Sequence, residues 1–410
     1  MITNSKSKAN IGHKWQFSPR FKRNAFGWKS DAPIQRIKEA ISEIKLVARQ
    51  DTVLAAEGAV LFLEKLTPAI EHVDSSSGSI GSAVNRAIEV LVPIIAKAAV
   101  DNKIRQRWLE RLWQAIQDDG ISYIESLAAH WGTLCTNPEL AQRWNEELRP
   151  LVEYIWRPNA NGHGYFKGTS ACLSAMMAAG QNEQLLALLE IAPYKFWQDR
   201  LWGVKAMVAL GRKAEAIRYA ENCRGLNAPD GYISEICEEI LLSSGLTDEA
   251  YQRYGIAANQ SMTHLSTFRA IAKKYPHKAP DDILHDLVLS TPGAEGKWFA
   301  AAKGAGLYDT AIELITQSPT DPRTLIRAAR DYADKLPLFA LACGLAAIRW
   351  MADGFGYDIT GLDVHDAYRS VMDASRSAGL SANETRKRIL EIVDGPLPMQ
   401  KFMAKYISSE

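Results

Sequence analysis

The chain has 410 residues, of which 47% are hydrophobic, and its formal net charge at pH 7 is +1. Enough apolar side chains are present to form a sizeable core, which excludes global disorder. The small net charge by itself favours neither a nucleic-acid partner nor a membrane partner. The first 30 residues differ from the rest because they hold seven Lys and Arg residues and no acid.

The cysteines and the apolar segments bear on the cellular compartment. Five widely spaced cysteines form no CxxC pair: Cys135, Cys172, Cys223, Cys237 and Cys343. An odd, dispersed set is typical of reduced core residues in a cytosolic protein. The first 30 residues lack the apolar core of a secretory signal, and the longest apolar stretch, 336–348, is too short to span a membrane. We therefore expect a cytoplasmic protein with no membrane partner and no metal or cofactor.

Nearly everything after residue 30 has the pattern of α-helix. Asp31 is a good N-cap, and Pro33 lies where a first helical turn tolerates proline. Apolar residues then recur at steps of three and four and form one helix face: Ile34, Ile37, Ile41, Ile44 and Val47. Further helices are predicted over 52–66, with an end near Pro68, and from the Ser- and Gly-rich loop 74–82 to about residue 100, with a kink at Pro93.

Four more helices are predicted over 102–118, 121–135, 138–156 and 168–179. Five tryptophans mark this region: Trp108, Trp113, Trp131, Trp144 and Trp156. The only weak strand candidate is GYDIT at 356–360. The Asn- and Gly-rich stretch 157–168 is the best domain boundary. We therefore divide the chain into a basic aromatic arm (1–30), an N-terminal helical region (31–160) and a repeat region (168–410).

A glycine recurs at nearly regular intervals in the repeat region. Gly180, Gly211, Gly245 and Gly306 are separated by 31, 34 and 61 residues. Each is followed five positions later by a small or apolar residue: Leu185, Ala216, Ala250 and Ala311. Further breaks fall at 273–282 and at Pro337, and a late copy is predicted from Gly379 to Glu384. A glycine that ends one helix, a polar turn and a second helix form a hairpin that must stack on others to bury its apolar face.

The segments LGRKAEAIRYAENC (210–223) and AGLYDTAIELI (305–315) resemble the turn and second-helix start of tetratricopeptide repeats. The resemblance covers about 168–345 and implies an all-α, irregular, tetratricopeptide-like solenoid of helical hairpins. The aromatic residues of that family's first helix are not regularly reproduced, so irregular HEAT-type pairs remain open. The whole chain also resembles a widespread type of uncharacterised bacterial helical-repeat protein, which implies no activity.

The arm interleaves basic and aromatic residues in HKWQFSPRFKRNAFGWK (13–29). Cations can neutralise phosphates, and aromatic rings can stack on unpaired bases for roughly 1–3 kcal/mol each. Alternatively, the rings can pack into a groove of the protein's own helices. Five residues are the candidates for binding a protein or nucleic acid: Trp15, Arg20, Lys22, Arg23 and Trp28.

Three functions are compatible with the predicted fold and with the basic aromatic arm. The first is a non-catalytic scaffold that binds a protein partner in a solenoid groove, as the resemblance implies. The second is a nucleic-acid-associated protein, which requires basic residues to share one surface, for example Lys103, Arg105, Arg107 and Arg111. The third is an enzyme with a site between the two helical halves, for which no catalytic residues can be named from the sequence.

Overall fold

The computed structural model describes residues 13–157, 164–225 and 229–407, and these residues form α-helices joined by short turns. No β-strand forms among them, and the GYDIT segment lies in bends and loop up to the next helix. Residues 1–12 of the predicted arm and part of the predicted 157–168 boundary lie outside the described residues. The chain divides into two compact units, Met1–Pro229 and Asp230–Glu410. The arm, helical-region and repeat-region divisions stay predictions.

Ten α-helices are described in the first unit, together with 3-10 turns at Ser18–Arg20 and Glu125–His130. The helices are α1 (Asp31–Ala48), α2 (Thr52–Ile70), α3 (Ser79–Lys97), α4 (Asn102–Asp118), α5 (Trp131–Cys135), α6 (Pro138–Trp156), α7 (Thr169–Ala178), α8 (Asn182–Glu190), α9 (Trp197–Ala209) and α10 (Lys213–Glu221). Each of these helices packs on helices that are one or two positions away along the chain.

The second unit continues the pattern of short paired helices over its described residues. These are α11 (Asp230–Leu242), α12 (Thr247–Ala250), α13 (Ile256–Ala258), α14 (His264–Lys274), α15 (Pro280–Leu289), α16 (Phe299–Gly304), α17 (Tyr308–Gln317), α18 (Pro322–Tyr332), α19 (Pro337–Ala352), α20 (Gly361–Ser377), α21 (Ala382–Val393) and α22 (Pro398–Ile407). A π-helical turn, Tyr251–Gly255, joins α12 to α13, and a 3-10 turn precedes α16. The apolar stretch at 336–348 forms the buried helix α19.

The glycine turns confirm the predicted helical hairpins. Gly180, Gly211, Gly245, Gly306 and Gly379 all have a left-handed φ between +70° and +79°. In each, the glycine N–H donates to the carbonyl three residues earlier and the next N–H to the carbonyl five residues earlier, which is the Schellman cap. The residues five positions after the first four glycines are fully buried. The all-α helical-hairpin repeat fold is therefore confirmed.

The late copy at Gly379 keeps the cap but not the buried position. Glu384, five residues after this glycine, is exposed, and Thr385 is buried instead. The hairpin therefore turns by the same device but packs a different residue of its second helix.

The N-terminal end of α1 differs from expectation by one residue. Ser30 is the N-cap and makes no side-chain capping bond, while Asp31 is the first helical residue. Asp31 still acts favourably there, because a negative charge in the first turn is stabilised by the helix dipole.

The helix predicted over 52–66 is longer than expected, because α2 includes Pro68 and ends two residues beyond it, at Ile70. The fixed φ of proline is compatible with a helix, and only one backbone hydrogen bond is lost. The N-terminal segment caps this end: the Asn24 N–H donates to the Pro68 carbonyl at 2.8 Å and the Phe26 N–H to the Ala69 carbonyl at 3.4 Å. Contacts distant in sequence thus determine where the helix stops.

The single helix predicted over 121–135 is also wrong. The buried Asp119 side chain accepts the N–H groups of Ile121 (3.2 Å) and Ile124 (2.7 Å), which competes with helical hydrogen bonding. Ser122 has a left-handed φ of 61°. A bend, the 3-10 turn Glu125–His130 and the short α5 replace the helix, and this irregular stretch forms one side of the groove described below.

One described helix, α3, has the length and apolar composition to cross a membrane. Its apolar face, from Ile80 to Ile95, is buried against α1 and α2. Burial of this kind is also typical of a core helix, so α3 is weak support for a membrane span.

Candidate binding groove

A groove of about 730 Å³ runs along one side of α7 and α9 in the first unit. Residues 122–133 form its opposite wall. The hydroxyl of Ser174 joins the two walls, since it accepts the Gly132 N–H at 2.9 Å and donates to the Ala129 carbonyl at 3.0 Å. A Cβ on Gly132 would overlap the Ser174 carbonyl, so glycine permits this close approach.

The groove combines apolar and polar lining residues. Its apolar side chains are those of Ala129, Met177, Ala178, Leu201 and Trp202. The ammonium of Lys205 lies 4.6 Å from the centre of the Trp202 ring, a favourable cation–π distance. His130, on the opposite wall, has a lowered pKa because it is partly buried and because Lys205 is close. The imidazole is therefore neutral at pH 7.

A smaller cleft of about 90 Å³ shares three lining residues, Glu125, Ser170 and Gln198, with the groove. The groove and the cleft therefore adjoin. Five aromatic residues line the cleft: Trp156, Tyr165, Phe166, Tyr194 and Phe196. Three of these rings are exposed, Tyr165 by 70%, Tyr194 by 55% and Phe196 by 41%. We call this feature the aromatic cleft.

Asp199 lines the aromatic cleft from the first turn of α9. The residue is only 6% exposed, and within the described residues no hydrogen bond or ion pair involves its carboxylate. Its oxygens are not among the fully buried atoms without a partner, which agrees with their position at the cleft. Burial raises its pKa to about 6, and the adjacent Arg200 partly opposes that rise. A buried carboxylate without a partner is costly, which makes Asp199 the most unusual ionisable group of the site.

Lys167, which also lines the cleft, and the adjacent Arg200 both use their cations for other contacts. The Lys167 ammonium donates to the carbonyls at the end of α4, to Ile116 at 3.1 Å and also to Asp119. The Arg200 guanidinium donates to the Tyr219 hydroxyl at 2.9 Å. Neither makes a hydrogen bond or an ion pair with the Asp199 carboxylate.

The candidate residues of the arm have different environments. Trp15 is buried against Gly58 of α2, where a Cβ would overlap its ring. The Arg20 guanidinium pairs with Glu39 of α1 at 2.8 Å. Lys22 and Arg23 are exposed, and Trp28 is 72% exposed. The binding role of these five residues stays a prediction, but the Trp15 ring faces the protein core.

The basic surface required by the nucleic-acid hypothesis does not form on α4 as expected. Arg105 is buried and donates to the Ile95 and Ala98 carbonyls at 2.6 Å each. Arg111 pairs with two carboxylates of α2, Glu57 and Glu64. The two cations complete helix packing because α4 is a core helix of the unit. Lys103 and Arg107 instead line a shallow groove that also contains three glutamates.

A buried carboxylate in the second unit is fully partnered. Glu238 is 0% exposed and accepts hydrogen bonds from Tyr275 (2.5 Å), Lys274 (2.6 Å) and Asn259 (2.7 Å). Buried ionic groups with complete hydrogen bonding are common structural features. We therefore assign this cluster to the stability of the second unit.

The cysteines lie mainly in the core. Cys135, Cys172, Cys237 and Cys343 are buried, and burial raises the pKa of Cys135, Cys172 and Cys343 to about 12. These thiols are therefore protonated and unreactive at neutral pH. Across the described residues no cluster of three or more His, Cys, Asp or Glu side chains is arranged to hold a metal ion.

Comparisons with known proteins add little to this description. No protein-family model matches the chain, and no curated protein matches its sequence. One similar solved structure is titled "Crystal structure of APC/C hetero-tetramer Cut9-Hcn1"; it shares 13% identity at a TM-score of 0.22, over 91% of this chain and 81% of that chain. At this score the likeness supports no conclusion about function.

The groove residues were missed by the sequence analysis. Gln198, Asp199 and Trp202 lie in FWQDRLW, which has the composition of an ordinary helix start with an acid in its first turn. Only the packing of this helix beside residues 122–133 and 164–170 brings them to one surface.

Proposed function

We propose that the protein is a non-catalytic interaction scaffold and that its first unit binds an extended segment of a partner protein. The observation that carries this proposal is the continuity of the groove and the aromatic cleft along α7 and α9. A two-part site lined by both apolar and polar residues suits an extended chain better than one compact ligand. We place this function in the cytoplasm, where unpaired thiols stay reduced.

Selection of a random peptide library against the full chain tests the proposal. We expect selected peptides whose affinity falls at least tenfold in Trp202→Ala, because this change removes the largest apolar ring of the groove. Trp28→Ala is the matched control, since it removes an exposed ring elsewhere in the same unit. Peptides that bind Trp202→Ala as well as the wild type would contradict the groove as the binding site.

Nucleic-acid binding is the second candidate, and the exposed group of Lys22, Arg23, Trp28 and Lys29 favours it. Single-stranded RNA and DNA should then bind at low salt, weaken as salt rises and weaken further in Trp28→Ala. Trp202→Ala should leave that binding unchanged. Equal binding by the wild type and by a Lys22→Gln, Arg23→Gln variant would exclude this candidate.

A further inference from the structure

The aromatic cleft contains a buried acidic group beside exposed rings. Asp199 is more than nine-tenths buried and unpartnered among the described residues, while Glu125 adds a second carboxylate to the lining. The Tyr194 and Phe196 rings lie 5.6 Å apart at 47°. Negative charge combined with the faces of aromatic rings is the environment that binds an organic cation.

The cleft is large enough for a small cationic group. Its volume is about 90 Å³, whereas one water molecule occupies about 30 Å³ in the liquid. Several ordered waters or the head group of one basic side chain would fit. A water molecule cannot neutralise the buried carboxylate, but a cation can.

The two basic residues near the cleft, Lys167 and Arg200, do not neutralise the Asp199 carboxylate. Lys167 is held by the carbonyls at the end of α4, and Arg200 by Tyr219. Gly168 follows Lys167, and a Cβ on this glycine would overlap the rings of Phe166 and Trp113. The backbone at Gly168 therefore lies close to the two rings, and the Lys167 ammonium is bound by the carbonyls at the end of α4 and not by the Asp199 carboxylate.

We propose that the aromatic cleft binds the side chain of a lysine or arginine carried by the partner segment that occupies the adjoining groove. Asp199 supplies the ionic contact, and the rings of Tyr194, Phe196 and Tyr165 cover the apolar faces of the cation. This inference rests on the proposed function only for the carrier of the cation. The binding of a free organic cation by the cleft does not depend on it.

Saturation-transfer NMR with ethylguanidinium tests the cleft itself, and ethylurea is the neutral probe of nearly the same shape. We expect binding of ethylguanidinium only, weakened at least fivefold in Asp199→Asn. Glu215→Gln is the matched control, because Glu215 is likewise the third residue of a helix in the same unit but is exposed. Tyr194→Ala keeps the carboxylate and should weaken binding through loss of a ring.

The pH dependence gives a second readout. The titratable and charged groups around Asp199 are Glu125, Tyr165, Tyr194, Lys167 and Arg200. Asp199 is half protonated near pH 6, so ethylguanidinium affinity should approach its maximum at about one pH unit above this value and fall as the pH decreases through it. This fall should be absent in Asp199→Asn. Equal affinity in the wild type and Asp199→Asn, or equal binding of ethylurea, would overturn the proposal.

An experiment with groove-selected peptides distinguishes this inference from the proposed function. Each basic residue of a groove-selected peptide is replaced by methionine, which keeps the side-chain length and removes the charge. We expect one replacement to lower affinity at least tenfold in the wild type and to have less than a threefold effect in Asp199→Asn. Peptides that require Trp202 but tolerate every such replacement would refute the cation pocket while leaving the groove as the binding site.

Discussion

At the residue scale, the protonation of Asp199 predicts a pH-dependent stability. Its pKa rises from 3.8 to about 6 on folding. The folded protein therefore binds more protons than the unfolded chain between these values, so the free energy of unfolding falls as pH increases through this window.

Asp199→Asn should remove this pH-dependent contribution and make the protein more stable than the wild type at pH 7 by about 3 kcal/mol. The difference should shrink as pH falls towards 4. Urea unfolding of both proteins at several pH values measures it. A stability difference that does not change with pH would show that Asp199 is not buried as a charged group.

The contact between Gly58 and Trp15 predicts a packing effect. Gly58→Ala should lower the free energy of unfolding by roughly 1–2 kcal/mol, because the buried Trp15 ring must shift. Gly81→Ala in α3 is the control, since a Cβ there meets no atom within 4 Å. It should raise stability by about 0.5–1 kcal/mol through helix propensity. Equal stability of the two variants would mean that Trp15 does not pack on α2.

Trp15 also shows what a sequence pattern cannot predict. The arm's alternation of rings and cations is compatible both with ligand binding and with self-packing. Three of the rings are buried, those of Trp15, Phe17 and Phe21, whereas the Trp28 ring is exposed. All four lie in the same stretch of alternating basic and aromatic residues, 13–29. Their difference depends on where α1 and α2 lie, which the local pattern does not specify.

At the element scale, the recurring glycine caps predict how much a single turn contributes to the stability of a hairpin. Gly211 has a φ of +77° and open space around its Cα. Gly211→Ala should therefore destabilise the α9–α10 hairpin by about 1–2 kcal/mol through backbone strain alone. Gly211→Asn should cost less, because asparagine tolerates the left-handed conformation.

Thermal or urea unfolding of the Gly211 variants measures both values. Gly304→Ala is the comparison, because Gly304 is the last residue of α16 and does not have a left-handed φ. The nearest atom to a Cβ there is a Leu265 methyl at 3.4 Å. An unchanged stability in Gly211→Ala would mean that this turn does not require a left-handed residue.

The ends of the helices show where local sequence patterns were sufficient to predict the structure. Asn137 caps α6 through the Leu140 N–H at 2.9 Å, and the predicted helix 138–156 matches the structure. The length of α2 was underestimated because a proline fits within a helix at the loss of one hydrogen bond. The 121–135 segment was misjudged because the buried Asp119 side chain competes for its backbone N–H groups. Local propensity is reliable where the cap is local and fails where it is distant.

At the scale of the whole molecule, each compact unit has its own core. In the second unit, α18, α19 and α20 pack on one another, and Glu238 is partnered entirely by residues of that unit. We therefore expect residues 230–410, expressed alone, to be helical and to unfold cooperatively.

Circular dichroism and thermal unfolding of residues 1–229 and 230–410 measure this independence. The full chain is the control, since its helical signal should be close to the length-weighted sum of the two pieces. A non-cooperative or aggregated 230–410 fragment would contradict the assignment of an independent core.

Local sequence patterns were sufficient to predict the fold class and the repeating hairpin turn. Helical periodicity, a proline in the first turn and a glycine at the end of a helix act over a few residues, so their effect can be recognised from a short stretch of sequence. The tertiary structure alone decided that Arg105 and Arg111 serve packing, that Trp15 is buried, and that Gln198, Asp199 and Trp202 line a groove with residues 122–133. Those roles depend on desolvation and on contacts between residues distant in sequence, and a linear pattern specifies neither.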